Sequence, residues 1–124
     1  MVDHRSLEVW QKAMDLAEQV YVSTRAFPAE ERFGLTAQMR RAAVSIPSNI
    51  AEGAGRRTTK DLIAFAHVAR GSLAELETQV LLASRVGLLS DVDSWVQTLH
   101  AVQRLLNGLI RSLRRKVRSG THVR

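Results

Sequence analysis

One pattern restricts the fold of this chain more than any other. Leu62, Ala66, Ala69, Leu73, Leu76, Val80 and Ala83 follow one another at alternating steps of four and three. That spacing keeps every side chain on one stripe of a helix, whereas a strand needs alternation by two. Sustained over three heptads, it forms a seam that other helices must cover. A second row, Trp95, Leu99, Val102, Leu106, Leu109 and Leu113, repeats the spacing. Aromatics make up only 5% of the chain against 45% hydrophobic residues, a balance that favours helices over a β-sandwich.

Two further helices precede these. In the first, Val9, Ala13, Leu16 and Val20 form one row, with Trp10, Met14, Ala17 and Tyr21 beside it, which predicts a broad apolar face. Asp3 or Ser6 can cap its start, and Phe27-Pro28 ends the element. An acidic connector, Ala29 to Gly34, leads to a helix over Leu35–Ala54 with Met39, Ala43, Ile46 and Ile50 inside. Pro47 removes a backbone donor there, and the spacing continues past it, so a kink rather than a break is expected. Gly53-Ala54-Gly55 is expected to stop this helix through a left-handed glycine. Thr58 to Asp61 reads as a weak capping box for the third helix, Gly87 as the residue just past its end, and Ser90 as the cap of the fourth.

The expected fold class is therefore all-α, an antiparallel up-and-down four-helix bundle with a kinked second helix. It occupies residues 1–118, followed by a flexible basic tail over residues 119–124. A polar substitution at Leu73 or Leu76 should be severely destabilising.

The chain has no cysteine, which excludes disulfides, thiolate chemistry and Cys-ligated zinc. A polar N-terminus and the lack of any long apolar run predict a cytoplasmic protein without a transmembrane segment. Carboxylate-bridged metal sites in bundles need Glu-x-x-His on two helices, and none is present. His4, His67, His100 and His122 stand singly, with His67 on the flank of the third helix. No metal, cofactor or catalytic residue is expected, because no serine elbow and no His–acid pairing can be read. Gly53 to Thr59 faintly suggests a phosphate-cradling loop but lacks the Walker lysine and a preceding strand.

Charge carries the functional reading. The net charge is +6, and from His100 onward Arg104, Arg111, Arg114, Arg115, Lys116, Arg118 and Arg124 occur without one acid. The rest of the chain is close to neutral. Fifteen arginines against three lysines favour forked phosphate contacts. Nucleic acid, RNA or DNA, is the predicted partner, bound through Arg111, Arg114, Arg115, Lys116 and Arg118. Arg56, Arg57 and Lys60 form a second patch. The alternative is a protein-interaction scaffold whose basic tail is only solvated. An acidic membrane surface is a third reading, weakened by the lack of a hydrophobic wedge. Arg41, Ser45, Ser48, Asn49 and Glu52, sharing one flank of the second helix, are expected to join Glu75 and Glu77 in a buried polar network.

Two stretches, Gln38-Met39-Arg40-Arg41-Ala42-Ala43-Val44-Ser45-Ile46-Pro47-Ser48-Asn49-Ile50-Ala51-Glu52-Gly53 and Gly71-Ser72-Leu73-Ala74-Glu75-Leu76-Glu77-Thr78-Gln79, carry a family resemblance. The chain resembles, from about Leu7 to Leu113, the four-helix bundle family first found encoded within intervening sequences of bacterial 23S ribosomal RNA genes. It is more distantly similar to the accessory protein of diversity-generating retroelements, a basic pentamer that binds nucleic acid. The resemblance implies a bundle assembled as a barrel-like homopentamer. The arginines beyond Leu113 lie outside the shared pattern.

Overall fold

A computed structural model describes residues 2–120. Its four long helices are α1 (Glu8–Thr24), α2 (Leu35–Ala54), α3 (Thr59–Arg85) and α4 (Val92–Arg118). Two single 3-10 turns, His4–Ser6 and Ala29–Glu31, complete the regular structure, and no strand occurs among the described residues. Helix α2 packs between α1 and α3, α3 also packs on α4, and α4 closes the ring against α1. Contacts across the seams run in opposing numerical order. Ser45 meets Ser72 while Gly53 meets Phe65, and Glu77 meets His100 while Arg70 meets Asn107. Rising numbers in one helix against falling numbers in the next define an antiparallel up-and-down bundle.

The α3 seam is buried along its whole length, from Leu62 to Ala83, as its spacing requires. The α4 seam is not the strict heptad read from the sequence. Trp95, Leu99, Val102, Leu106, Ile110 and Leu113 are buried, and Leu109 is only partly so. A straight helix with 3.6 residues per turn drifts against a seven-residue repeat. By the third turn from the C-terminal end, Ile110 has rotated into the place expected for Leu109.

Helix ends account for the other departures. Asp3 does cap, its Oδ1 accepting from the Arg5 N–H at 3.1 Å, but it starts the 3-10 turn, and α1 begins after Leu7 without a side-chain cap. Thr58 caps α3 by accepting from the Asp61 N–H at 3.1 Å. At the other end of α3, Gly87 sits at φ +82, and the Leu88 N–H reaches the Ala83 carbonyl at 2.8 Å while that of Gly87 reaches Ser84 at 3.2 Å. These paired bonds form a Schellman closure, which glycine adopts without Cβ strain. Ser90 does not cap α4. Asp91 holds that position in a left-handed conformation, φ 55, with no side-chain bond to the helix. α2 runs unbroken through Pro47, which is buried between Ile46 and Ile50.

Nor does α2 end on a left-handed glycine. Gly55, its C-cap, is right-handed at φ −80. Gly53 serves packing instead, since a Cβ there would lie 2.8 Å from the Phe65 Cβ and 2.9 Å from Leu62 Cδ1. Helices α2 and α3 cross here nearly backbone to backbone. Alanine gains about 1 kcal/mol over glycine inside a helix, but overpacking costs about 1–3 kcal/mol. Gly53→Ala should therefore lower the melting temperature. Gly71→Ala, with nothing within 4 Å of the new carbon, should raise it.

Most of the core is one cluster drawn from all four helices. A smaller cluster, Ala54, Leu62 and Leu113 with Val2, Ile63 and Leu109 against it, plugs one end of the bundle. That plug places the end of α2, the start of α3 and the end of α4 together.

Candidate nucleic-acid interface

Because Leu113 packs on Ala54 and Leu62, the basic stretch of α4 and the basic α2–α3 connection share one end of the molecule. Arg111, Arg114, Arg115, Lys116 and Arg118 are all exposed. None of them pairs with a carboxylate among the described residues, whose ion pairs are Arg5–Asp3, Arg56–Glu52 and His100–Glu77. The side chains that keep this helix on the bundle, Ile110 and Leu113, alternate with the charged ones. The same amphipathic turns therefore bury one face and present the other to solvent. α4 ends at Arg118, and Ser119-Gly120 turns away. The remaining tail, residues 121–124, with His122 and Arg124, lies outside the described residues.

The second patch is reduced. Arg57 and Lys60 are exposed, but Arg56 donates to Glu52 at 2.7 Å and stacks on the Phe65 ring at 5.0 Å. An i,i+4 Glu–Arg pair is the ordinary fate of such a spacing. It leaves Arg56 as much a clasp between α2 and α3 as a phosphate contact.

The buried polar network does not form. Arg41, Ser48, Glu52 and Glu75 are exposed, and Glu77 lies on the α3–α4 seam beside His100 at 3.1 Å. Only Ser45 and Asn49 come together. The Asn49 amide donates to the Ser45 carbonyl at 2.8 Å and to its hydroxyl at 2.9 Å, and Ser45 shares a 2.7 Å bond with Ser72 of α3. Steps of three and four place residues on one flank without saying which way it faces. On α2 the inward side belongs to Met39, Ala42, Ala43, Ile46 and Ile50, so the polar flank is the outer one.

A group missed from the sequence lies higher on the α3–α4 seam. His67 is half-buried between two arginines. Arg70 Nη2 stands 2.9 Å from its Nδ1, and Arg114 Nη2 stands 3.0 Å from its Nε2. Arg70 also donates to the Asn107 Oδ1 at 3.3 Å. Burial first, then the charges of Arg70 and Arg114, hold the imidazole below its usual pKa. His67 and Arg70 are visible as an i,i+3 pair, but bringing Arg114 to them requires the register of α3 against α4. No grouping of three or more His, Cys, Asp or Glu side chains occurs among the described residues.

A different surface is apolar. Trp10, Met14, Tyr21, Val44, Pro47 and Ala51 line an open groove of about 530 Å³ between α1 and α2. The second apolar row of α1 was expected to widen the buried face. Instead Ala17 is buried, while Met14 and Tyr21 remain 45% and 40% exposed. Arg40 covers Tyr21 at 4.5 Å and bonds to the buried Thr24 hydroxyl at 2.9 Å.

Fold and charge together define a class, a small antiparallel four-helix bundle whose last helix carries arginines without carboxylate partners at one end. The chain belongs to the 23S rRNA-intervening sequence protein family, whose model matches residues 5–108. It is similar in structure to a protein of unknown function from the S23 ribosomal protein family of Bacteroides thetaiotaomicron VPI-5482. That likeness has a TM-score of 0.75 at 21% identity, over 83% of this chain and 95% of the other. No curated protein matches the sequence. No described helix is long and apolar enough to cross a membrane.

Proposed function

We propose that this protein is a non-enzymatic, homo-oligomeric bundle that binds nucleic acid, RNA or DNA, in the cytoplasm through the arginine-rich end of α4. One observation carries the reading. Arg111, Arg114, Arg115, Lys116 and Arg118 are exposed without carboxylate partners, at the end that also bears Arg57 and Lys60. Cationic side chains in such number, none of them neutralised by a carboxylate, make an electrostatic surface for a phosphate backbone. The family name, taken from intervening sequences of 23S rRNA, is in keeping with this.

Assembly, as a pentamer in the form the resemblance implies, would multiply a modest patch into a ring of charge and raise avidity. The exposed apolar groove between α1 and α2 supports a contact with a second copy, since an unfilled hydrophobic groove on a small domain favours association. The same groove also supports a rival reading, a scaffold that docks another protein while the charge serves solubility. Recovery of a protein partner after nuclease treatment would favour that rival.

Neutralising about five phosphates per chain gives log K a slope near −4.5 against log salt on duplex DNA. Affinity should then fall about 500-fold between 50 and 200 mM salt, measured by fluorescence anisotropy with a labelled duplex. A salt-independent interaction would reject the reading.

A further inference from the structure

We propose that His67, Arg70 and Arg114 form a seat for a single phosphate group, with Asn107 orienting Arg70. The seat rests on the nucleic-acid reading and gives it a fixed point, because Arg114 is shared with the basic face of α4.

The argument begins with hydrogen-bond inventory. A guanidinium group only donates, and a neutral imidazole has one N–H and one lone pair. Both ring nitrogens of His67 face an arginine, at 2.9 and 3.0 Å. In either neutral tautomer one of those contacts is a hydrogen bond and the other sets two donors against each other. In the protonated ring both contacts oppose donors. The group therefore holds more donors than acceptors. Its acceptors are one imidazole lone pair and the Asn107 carbonyl oxygen. No carboxylate pairs with Arg70 or Arg114 among the described residues.

The neighbouring histidine on the same seam makes the contrast. His100 lies 3.1 Å from the Glu77 carboxylate, which supplies both an acceptor and a negative charge. His67 has neither. The charged groups facing it are Arg70 from its own helix and Arg114 from α4, and both are positive. A phosphate supplies what is missing, with oxygens that can accept from both guanidinium groups and from the ring N–H. Its negative charge also offsets the charges of Arg70 and Arg114 that, after burial, hold the imidazole below its usual pKa, so a bound phosphate draws a proton onto His67.

Linkage fixes the sign. In the free protein the pKa of His67 is depressed, so the unfolded chain binds more protons near pH 6, and stability falls as pH drops below about 6.5. A phosphate in the seat raises the folded-state pKa, so a backbone phosphodiester, whose own charge is constant from about pH 5 to 8, binds more tightly as pH falls, by at most about tenfold per pH unit.

The test follows the ring protons of the full-length protein by NMR from pH 5 to 8 at constant ionic strength. It is run without ligand, with inorganic phosphate, and with a short RNA duplex. His67→Gln identifies the His67 signal, and His4 and His100 serve as internal controls. The expected result is an upward shift of the His67 midpoint of about one pH unit, beyond any change in the control signals. A shift with inorganic phosphate alone supports the seat for free phosphate even if the duplex does not bind. A His67 midpoint unmoved by both ligands, or moved only as much as the controls, overturns the proposal. In that case the duplex can still bind with its steep salt dependence, so the seat fails without the nucleic-acid reading failing. In parallel, His67→Gln should bind the duplex more weakly than the native protein below about pH 6.5, and the pH dependence contributed by the seat should be gone. Retention of the pH dependence would count against the seat.

Discussion

Leu76→Asp should abolish the cooperative thermal transition and most of the helical circular dichroism. Leu76 is completely buried at the middle of the α3 seam. Removing its side chain forfeits about 1.5–3 kcal/mol of burial. Leaving an unpaired carboxylate in the apolar core costs several kcal/mol more, whether the group stays charged or is forced to protonate. A domain of this size has roughly 5–15 kcal/mol in all, so the two losses together consume the margin. The control is Leu82→Asp on the same helix, where the native side chain is 48% exposed and the new charge is hydrated. That variant should keep its helical spectrum. A cooperative transition retained by Leu76→Asp would mean that the seam is not the core.

Replacing Arg111, Arg114, Arg115, Lys116 and Arg118 together with alanine should weaken binding to a labelled duplex by about a thousand-fold or more at 50 mM salt. The residual salt slope should be close to flat. Fold and function separate cleanly in this variant. The five side chains are exposed, and Ile110 and Leu113, which hold the helix down, are untouched. Arginine and lysine differ little from alanine in helix propensity, so the melting temperature should stay within a few degrees. Unchanged affinity in a folded variant would move the interaction elsewhere, first to Arg57 and Lys60.

The architecture was legible because periodicity reports it directly. The α3 seam, the limits of α2, the Thr58 cap and the Gly87 closure all follow from spacing or from the chemistry of a single residue. What could not be read depends on neighbours distant in sequence. Ile110 displaces Leu109 because helical drift accumulates. Gly53 looks like a stop signal until Phe65 and Leu62 are brought against it. The expected polar network failed for a related reason. Five polar residues at helical spacing must share a flank, and only the competing apolar side of α2 shows that this flank faces outward. The charged end was half legible. The run of arginines on α4 is plain in the sequence, but its meeting with the α2–α3 connection depends on the plug formed by Leu113. The triad of His67, Arg70 and Arg114 depends on the stagger between two helices, which no single stretch encodes.

The alternation of helix direction has an electrical consequence. At the arginine-bearing end, α1 and α3 begin while α2 and α4 finish. The partial positive charges of two backbone starts thus sit beside the partial negative charges of two finishes. These fields largely cancel a short distance from the surface. The potential felt by an approaching polyanion is then set by side chains alone, and the scaffold is electrically silent at the one place where its cations gather.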